Sequence, residues 1–201
     1  MKDRLPYTEM LQQRLRFAKR TAEAQASVLL AITDETDPKV LLTRRSLSLN
    51  QHAGEVAFPG GKRDPTDTSN VSVALREAWE ETALDPFAVR LLGDLPMQKA
   101  KSGLLVKPIV GLIPPSLELM PQPTEIDRIF FASLHDLLQA QPMPHEVRFA
   151  DRLLYFPSIQ IENEVVWGLT ARILMSLFHY GLDIEKQWPF LLNPPLHERT
   201  K

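Results

Sequence analysis

A chain of 201 residues with 44% apolar and 24% charged residues suits one soluble domain with its own core, and a net charge of −2 gives no electrostatic case for nucleic acid as a partner. Zero cysteine excludes a disulfide framework, thiol nucleophiles and cysteine–zinc sites, and is compatible with a reducing cytoplasm. Met1 to Pro6 does not read as a signal peptide, and the longest strongly apolar run, Val28 to Ile32, is too short to span a bilayer, so a cytoplasmic protein without a membrane partner is expected.

In chain order, Tyr7 to Glu23 reads as a helix, with Met10, Leu11, Phe17 and Ala18 at helical spacing and Pro6 in a first-turn position. Its Arg14, Arg16, Lys19 and Arg20 are candidates for meeting a phosphate-rich ligand, although charge on the outer face of an amphipathic helix is the ordinary outcome. Ala26 to Thr33 and Lys39 to Thr43 read as strands joined by the turn-rich Asp34 to Pro38. Ser46 to Gly54 reads as a loop and Val56 to Phe58 as a short strand entering the glycine turn Phe58-Pro59-Gly60-Gly61. Gly60 and Gly61 permit close backbone approach, which a diphosphate or metal site can use. A polar loop, Lys62 to Asn70, leads to a helix over Val71 to Leu84 that Asp85-Pro86 stops.

Further on, Ala88 to Leu95 and Leu104 to Ile113 read as strands, Glu125 to Phe131 as a strand, and Leu134 to Ala140 as a short helix. Leu153 to Phe156 and Ile159 to Val166 read as strands with a turn at Pro157-Ser158, and a last helix runs from Trp167 to about Tyr180. Mixed elements without regular βαβ alternation favour an α+β sandwich. The expected organisation is one domain over 1–201, with a helical extension over 1–24 and a tail over 183–201.

The helix over Val71 to Leu84 carries the chemistry. With Glu77 at zero on a wheel of about 100° per residue, Glu80 falls near −60° and Glu81 near +40°. Val71, Leu75, Ala78, Trp79 and Thr82 fall between roughly 100° and 200°, which predicts an apolar buried face opposite an acidic one. Glu80 and Glu81 lie near the C-terminal end, where the helix dipole disfavours negative charge, and like charges one turn apart repel. Arg76 can pair with Glu80 but does not balance three carboxylates. A divalent cation would, and hard oxygen donors in a cysteine-free chain point to Mg²⁺ or Mn²⁺.

Arg76-Glu77-Ala78-Trp79-Glu80-Glu81-Thr82-Ala83-Leu84, with Gly61 upstream, resembles the Nudix box G-x5-E-x7-R-E-U-x-E-E-x-G-U, where U is apolar. Ala83 stands where the box has glycine, and the front half is one residue longer. Asp67 keeps the spacing of the first glutamate from Gly61 but sits one residue too far from Arg76. Leu41-Leu42-Thr43, Arg45-Ser46, Gly54 and Phe58-Pro59-Gly60-Gly61 resemble the additional motif of the coenzyme A pyrophosphatase branch, with Asn50 where that motif has Arg or Lys.

The resemblance implies an α/β/α sandwich with a mixed sheet and metal-dependent hydrolysis of coenzyme A or its thioesters. By the same resemblance Glu80 and Glu81 are the main metal ligands, Glu77 is a third ligand or the general base, Arg76 orients the glutamates, and the Gly61 carbonyl is a further ligand. Glu125 is a second candidate base, with a plain surface glutamate as the equal alternative. Arg44 and Arg45, with Phe58 and Gly60 of the motif, are candidates for binding substrate. His52 is a lone histidine that needs no functional explanation, and neither do His145 and Glu146, which lack the spacing of a helical zinc site. The expected partner is a small-molecule diphosphate, and a homodimer is left open. Two alternatives stand: hydrolysis of another nucleoside diphosphate derivative such as ADP-ribose or a dinucleotide, and a Nudix-fold binding module without turnover.

Overall fold

The structure, a computed structural model, describes residues 7–18, 22–149 and 152–192. Its centre is β1 (Ala26–Thr33), parallel to β7 (Leu105–Ile113) on one side and antiparallel to β2 (Lys39–Arg45) on the other. Both β1 and β7 are apolar almost without interruption, as strands covered on two faces must be. Outside β2 lies β8 (Ile126–Ser133), the short β3 (Val56–Ala57) pairs the end of β2 on its other flank, and outside β7 lie β5 (Arg90–Asp94) and β6 (Gln98–Lys99). One face of this mixed sheet is covered by α2 (Asn70–Thr82), which packs Ala74 and Ala78 on Leu29, Ala31, Leu41 and Ile109. The other face buries a larger cluster that includes Leu11 of α1 (Tyr7–Arg14) and Ile173 and Leu174 of α4 (Gly168–Ser176). A second sheet, in the order β11 (Glu164–Trp167), β10 (Arg152–Ile161), β9 (Met143–Phe149), adds Val166 and Ile159 to that cluster, and the short α3 (Leu134–Gln139) adds Leu134 and Leu137. The architecture is the expected α/β/α sandwich. Among the described residues no helix is long and apolar enough to cross a membrane.

Several elements differ from their sequence reading. The first helix stops at Arg14, because Arg16 folds its guanidinium back onto the Gln12 and Leu15 carbonyls. The chain then runs beside β5, where Asp94 N–H donates to Arg16 O and a Cβ on Gly93 would strike the Arg16 backbone. Arg14 is committed to Asp183 at 2.8 Å, and Lys19 and Arg20 lie outside the described residues. The expected strand break at Pro157-Ser158 is absent: β10 runs through Pro157, and the turn comes at Glu162, which has a φ of 54°. Pairing with β11 reaches only to Ser158, so the missing N–H of Pro157 leaves no ladder bond unmade on that flank. Its partner β9 contains Pro144 and shows no clean alternation, which hid it as a strand. The stretch read as one strand from Ala88 opens instead with a 3-10 turn, Pro86–Ala88.

The glycine turn is likewise a strand. Gly60–Lys62 forms β4, antiparallel to β1 with Val28 opposite Gly60 and Ser27 opposite Gly61. A Cβ on Gly60 would meet Ser27 O and the Val28 backbone, so only glycine lets the two strands approach this closely.

Ser69 caps α2 by accepting from Ser72 N–H, and Ser72 Oγ accepts from Ser69 N–H in return. The helix ends at Ala83 in the left-handed conformation, φ 56°, with its N–H donating to Trp79 O at 2.8 Å. A left-handed alanine costs roughly 1 kcal/mol relative to glycine. Ala83→Gly is therefore expected to raise stability by about 0.5–1 kcal/mol once the freer unfolded chain is counted. Urea unfolding measures this, and a lower midpoint would mean that the alanine methyl makes packing worth more than the strain.

Candidate active site

The buried arc of α2 decides the site. Its buried residues are Asn70, Val73, Ala74, Ala78, Glu81 and Thr82. On the wheel used above these span roughly −40° to 140° at about 100° per residue, and Glu81 falls in the middle of that arc. The expected separation of an acidic from an apolar face is therefore incorrect. Trp79, read as buried, is 51% exposed, whereas Glu81 is 3% exposed. Glu77 is half-buried beside it and Glu80 is exposed. A carboxylate at the centre of a packing face is costly unless something there uses it.

Glu81 projects beneath β4, where its Oε2 accepts from Gly60 N–H at 3.0 Å. Arg45, at the end of β2, brings Nη1 to 3.8 Å from Glu81 Oε1, too far for a hydrogen bond. Burial pushes the Glu81 carboxyl up to about 7, against the lowering pull of Gly60 N–H and Arg45. Glu77 lies over Gly61, its carboxylate occupying the place a Cβ would take, so any larger residue at 61 would displace it. Burial also raises the Glu77 carboxyl, opposed by Arg76 and aided by Glu80 and Glu125.

Arg76 organises the acids. Nη2 donates to Glu77 Oε1 at 3.0 Å and to Lys62 O at 3.1 Å, and Nη1 donates to Glu80 Oε2 at 2.9 Å. The guanidinium also grips Asp67, from Nε to Oδ1 at 3.3 Å and from Nη2 to Oδ2 at 2.9 Å. The hydrogen bonds from Arg76 hold the Asp67 carboxyl below its usual range. The sequence thus supplies more counter-charge than its local pattern suggests, since Arg76 binds three acids and Arg45 faces Glu81. Asp67 is the residue that sequence reasoning undervalued. A turn closed by Asp67 N–H to Asp64 O at 3.0 Å lies in the longer loop and still delivers Asp67 to Arg76.

Arg44 and Arg45 diverge to opposite faces, as successive strand residues do. Arg45 turns toward α2, with Nε buried and unpartnered. Arg44 turns toward the second sheet and binds Glu164 at 3.1 Å, an oxygen it shares with Arg128 at 3.0 Å. Phe58 is buried in the large core cluster and holds the end of β3 in place. Glu125 is exposed, but its backbone carbonyl accepts from Ser46 N–H at 2.7 Å. The neighbouring Gln122 N–H donates to Glu81 O at 3.0 Å, so this segment closes over the end of α2. Asn50 is exposed on the loop between β2 and β3, and His52 there pairs with Glu55 at 2.9 Å. His145 stacks against Trp167, with ring centroids 4.7 Å apart, and Glu146 follows it on β9.

The three glutamates do not converge as the wheel suggested: Arg76 holds Glu77 and Glu80, while Glu81 is turned to Gly60 N–H. Among the described residues no three His, Asp or Glu side chains are gathered as a metal centre. The donors themselves fit a hard dication. They are all oxygen, and the buried Glu81 carboxylate has only one backbone N–H and a distant guanidinium to offset its charge.

Residues 23–169 match the family model described as the NUDIX domain. A protein of Photorhabdus laumondii named "Uncharacterized Nudix hydrolase NudL" is 43% identical over 155 residues, covering 76% of this chain and 82% of the relative. Its namesake from Salmonella paratyphi B is 39% identical over 158 residues, covering 77% and 81%. Among solved structures, a MutT/nudix family protein from Enterococcus faecalis superposes with a TM-score of 0.51 at 14% identity, covering 89% of this chain and 70% of that one. That likeness is one of fold.

Proposed function

The chain belongs to the NUDIX domain family, and from that premise we propose that α2 and β4 form a metal-dependent hydrolytic centre for the diphosphate linkage of coenzyme A or its thioesters. The products would be 3′,5′-ADP and 4′-phosphopantetheine or its acylated form. One observation carries the hydrolytic part: Glu81 lies at the centre of the buried arc of α2, where an unused carboxylate would only destabilise the fold.

Nudix hydrolases generally use divalent ions such as Mg²⁺ or Mn²⁺. Here Glu80 and Glu81, with the Gly61 carbonyl, are the residues that would hold one, and Glu77 would be a third ligand where it is not the base. A bound ion would neutralise charge on the diphosphate and lower the pKa of its water. The chain supplies the rest. Asp67 and the Lys62 carbonyl fix Arg76, and Arg76 fixes Glu77 and Glu80. Arg45 stands beside Glu81, its Nη1 beyond hydrogen-bond distance of that carboxylate, and its guanidinium would donate to a phosphate oxygen. Arg44, engaged with Glu164, supports the strand that presents Arg45. Phe58 and Gly60 set the height of β4 beneath the acids.

Either Glu77 or Glu125 would accept the proton of the attacking water. Glu77→Gln and Glu125→Gln are expected to separate in kinetics, the true base losing about a hundredfold in kcat at little change in Mn²⁺ affinity. If both variants keep near wild-type kcat, neither carboxylate is the base.

The coenzyme A part rests on the segment from Leu41 to Gly61, which joins Arg45 to the Gly60–Glu81 hydrogen bond in one continuous stretch. Asn50 favours a second reading, ADP-ribose or another nucleoside diphosphate derivative, because an uncharged side chain stands where the motif has a cation. Losing a charge-assisted hydrogen bond costs about 1.5–3 kcal/mol, or about ten- to a hundredfold in binding. Coenzyme A is therefore expected to be cleaved with a high KM or modest preference over dephospho-coenzyme A, and Asn50→Arg should lower KM for coenzyme A more than for the dephospho form if this position faces the 3′-phosphate. The test is kcat/KM for coenzyme A, dephospho-coenzyme A and ADP-ribose side by side with Mg²⁺. An ADP-ribose preference of about tenfold or more would remove coenzyme A and leave the general hydrolytic reading.

A further inference from the structure

Beside the acidic centre lies a buried hydroxyl that the scheme above does not use. Ser27 on β1 is fully buried, and its Oγ has no hydrogen-bond partner among the described residues. An unpaired buried polar group costs about 1–3 kcal/mol, so its presence calls for a reason.

Two features fix where it points. Side chains alternate along a strand, and Leu29 and Ala31 pack against Ala74 and Ala78 of α2. Ser27, two residues before Leu29, therefore faces the same helix. In register it stands opposite Gly61, and opposed residues of an antiparallel pair project to one face with Cβ atoms about 4.5–5.5 Å apart. Gly61 has no Cβ, and the Glu77 carboxylate fills that place. The Ser27 hydroxyl and the Glu77 carboxylate are thus cross-strand neighbours on the same side of β4. In the resting arrangement Arg76 donates to Glu77 Oε1.

Building on the hydrolytic reading, we propose that Ser27 is a positioning residue for Glu77. Its hydroxyl donates to the Glu77 carboxylate in the working site and fixes which carboxylate oxygen faces the reacting diphosphate. A hydroxyl suits this task because it turns about χ1 to follow the carboxylate and brings no charge that would compete with a cation. A purely structural small residue at this place would be served as well by alanine, without an unpaired oxygen.

The experiment is Ser27→Ala in the wild-type and Glu77→Gln backgrounds. In the wild-type background kcat is expected to fall about tenfold, the range seen for outer partners of metal-site residues, with KM within about twofold. The Tm of metal-free protein should equal or exceed that of wild type, because an unpaired buried oxygen is removed. Adding Ser27→Ala to Glu77→Gln should cause no further loss. In protein carrying ¹³C-labelled glutamate, the Glu77 carboxyl resonance, assigned by its disappearance in Glu77→Gln, should shift in Ser27→Ala with Mg²⁺ added and no substrate present. Retained kcat, an equal loss in both backgrounds, or an unmoved Glu77 resonance would each overturn the inference. A wild type that hydrolyses none of the diphosphates overturns the hydrolytic reading instead, and the resonance still reports the Ser27–Glu77 contact.

Discussion

Glu81→Gln is expected to remove most of the hydrolysis while making the metal-free protein more stable at neutral pH. The carboxyl is 3% exposed and burial lifts its pKa from an ordinary 4.5 to about 7. A raised folded pKa means that the fold binds the protonated form better than the unfolded chain does. That contribution is complete below the unfolded value and is lost as pH rises through the folded one. Wild-type protein without metal should therefore lose stability between about pH 4.5 and 7, by an amount on the order of 3 kcal/mol if Glu81 acted alone. Glutamine keeps a side-chain oxygen for Gly60 N–H and never ionises, so this part of the pH dependence should vanish. In Tm the gain at pH 8 would be several degrees for a chain of this size. Turnover should fall by about a hundredfold or more, since even outer partners of metal ligands cost ten- to a hundredfold. Urea unfolding across pH in the presence of chelator, with kcat measured beside it, checks both halves. A variant that keeps wild-type kcat would remove Glu81 from the site. An unchanged pH–stability curve would remove the buried charge as its cause.

The second large effect is expected at Arg76. Its guanidinium is the shared donor for Asp67, Glu77 and Glu80, and the Asp67 side chain is only 3% exposed. Arg76→Ala removes the partly exposed guanidinium that covers Asp67, and losing hydrogen bonds to a charged group that water can then reach costs about 1.5–3 kcal/mol. Stability should drop by roughly that amount near pH 7. Acid has the opposite sign here from its effect at Glu81. Asp67 has a lowered pKa, so its contribution is present above the ordinary carboxylate range and lost as pH falls through the folded value. The gap between wild type and Arg76→Ala should accordingly narrow in acid. Arg76→Lys keeps the charge but not the planar fork that reaches two Asp67 oxygens, and should fall between the two. Equal stability of all three proteins at pH 7 would show that the fork holds nothing in place. Loss of kcat in Arg76→Lys, at an unfolding midpoint near wild type, would separate the orienting task from the structural one.

Much of this protein is written locally. Ala26 to Thr33 and Leu105 to Ile113 announce themselves as central strands because burial on both faces demands an unbroken apolar run, and α2 does so through helical spacing and its glutamates. The motifs that point to the NUDIX family are contiguous too, so they are legible without a fold. What the local pattern misplaced is the direction in which α2 faces. A helical wheel assigns charged residues to water, and only the packing of α2 on β1 and β4 puts Glu81 inside and Trp79 outside. Whether a carboxylate can be buried depends on what waits for it, here Gly60 N–H on another strand and Arg45 on a third. Those partners are set by cross-strand register, which no window of neighbouring residues contains. The same holds for Asp67. Its spacing from Arg76 looks wrong by one residue, yet the turn at Asp64 delivers it, because a loop is judged by where its end arrives and not by its length. Local sequence therefore determined the family motifs and the candidate residues. Register and loop closure decided which of them meet, because contacts between distant residues are fixed only when the whole sheet is in place.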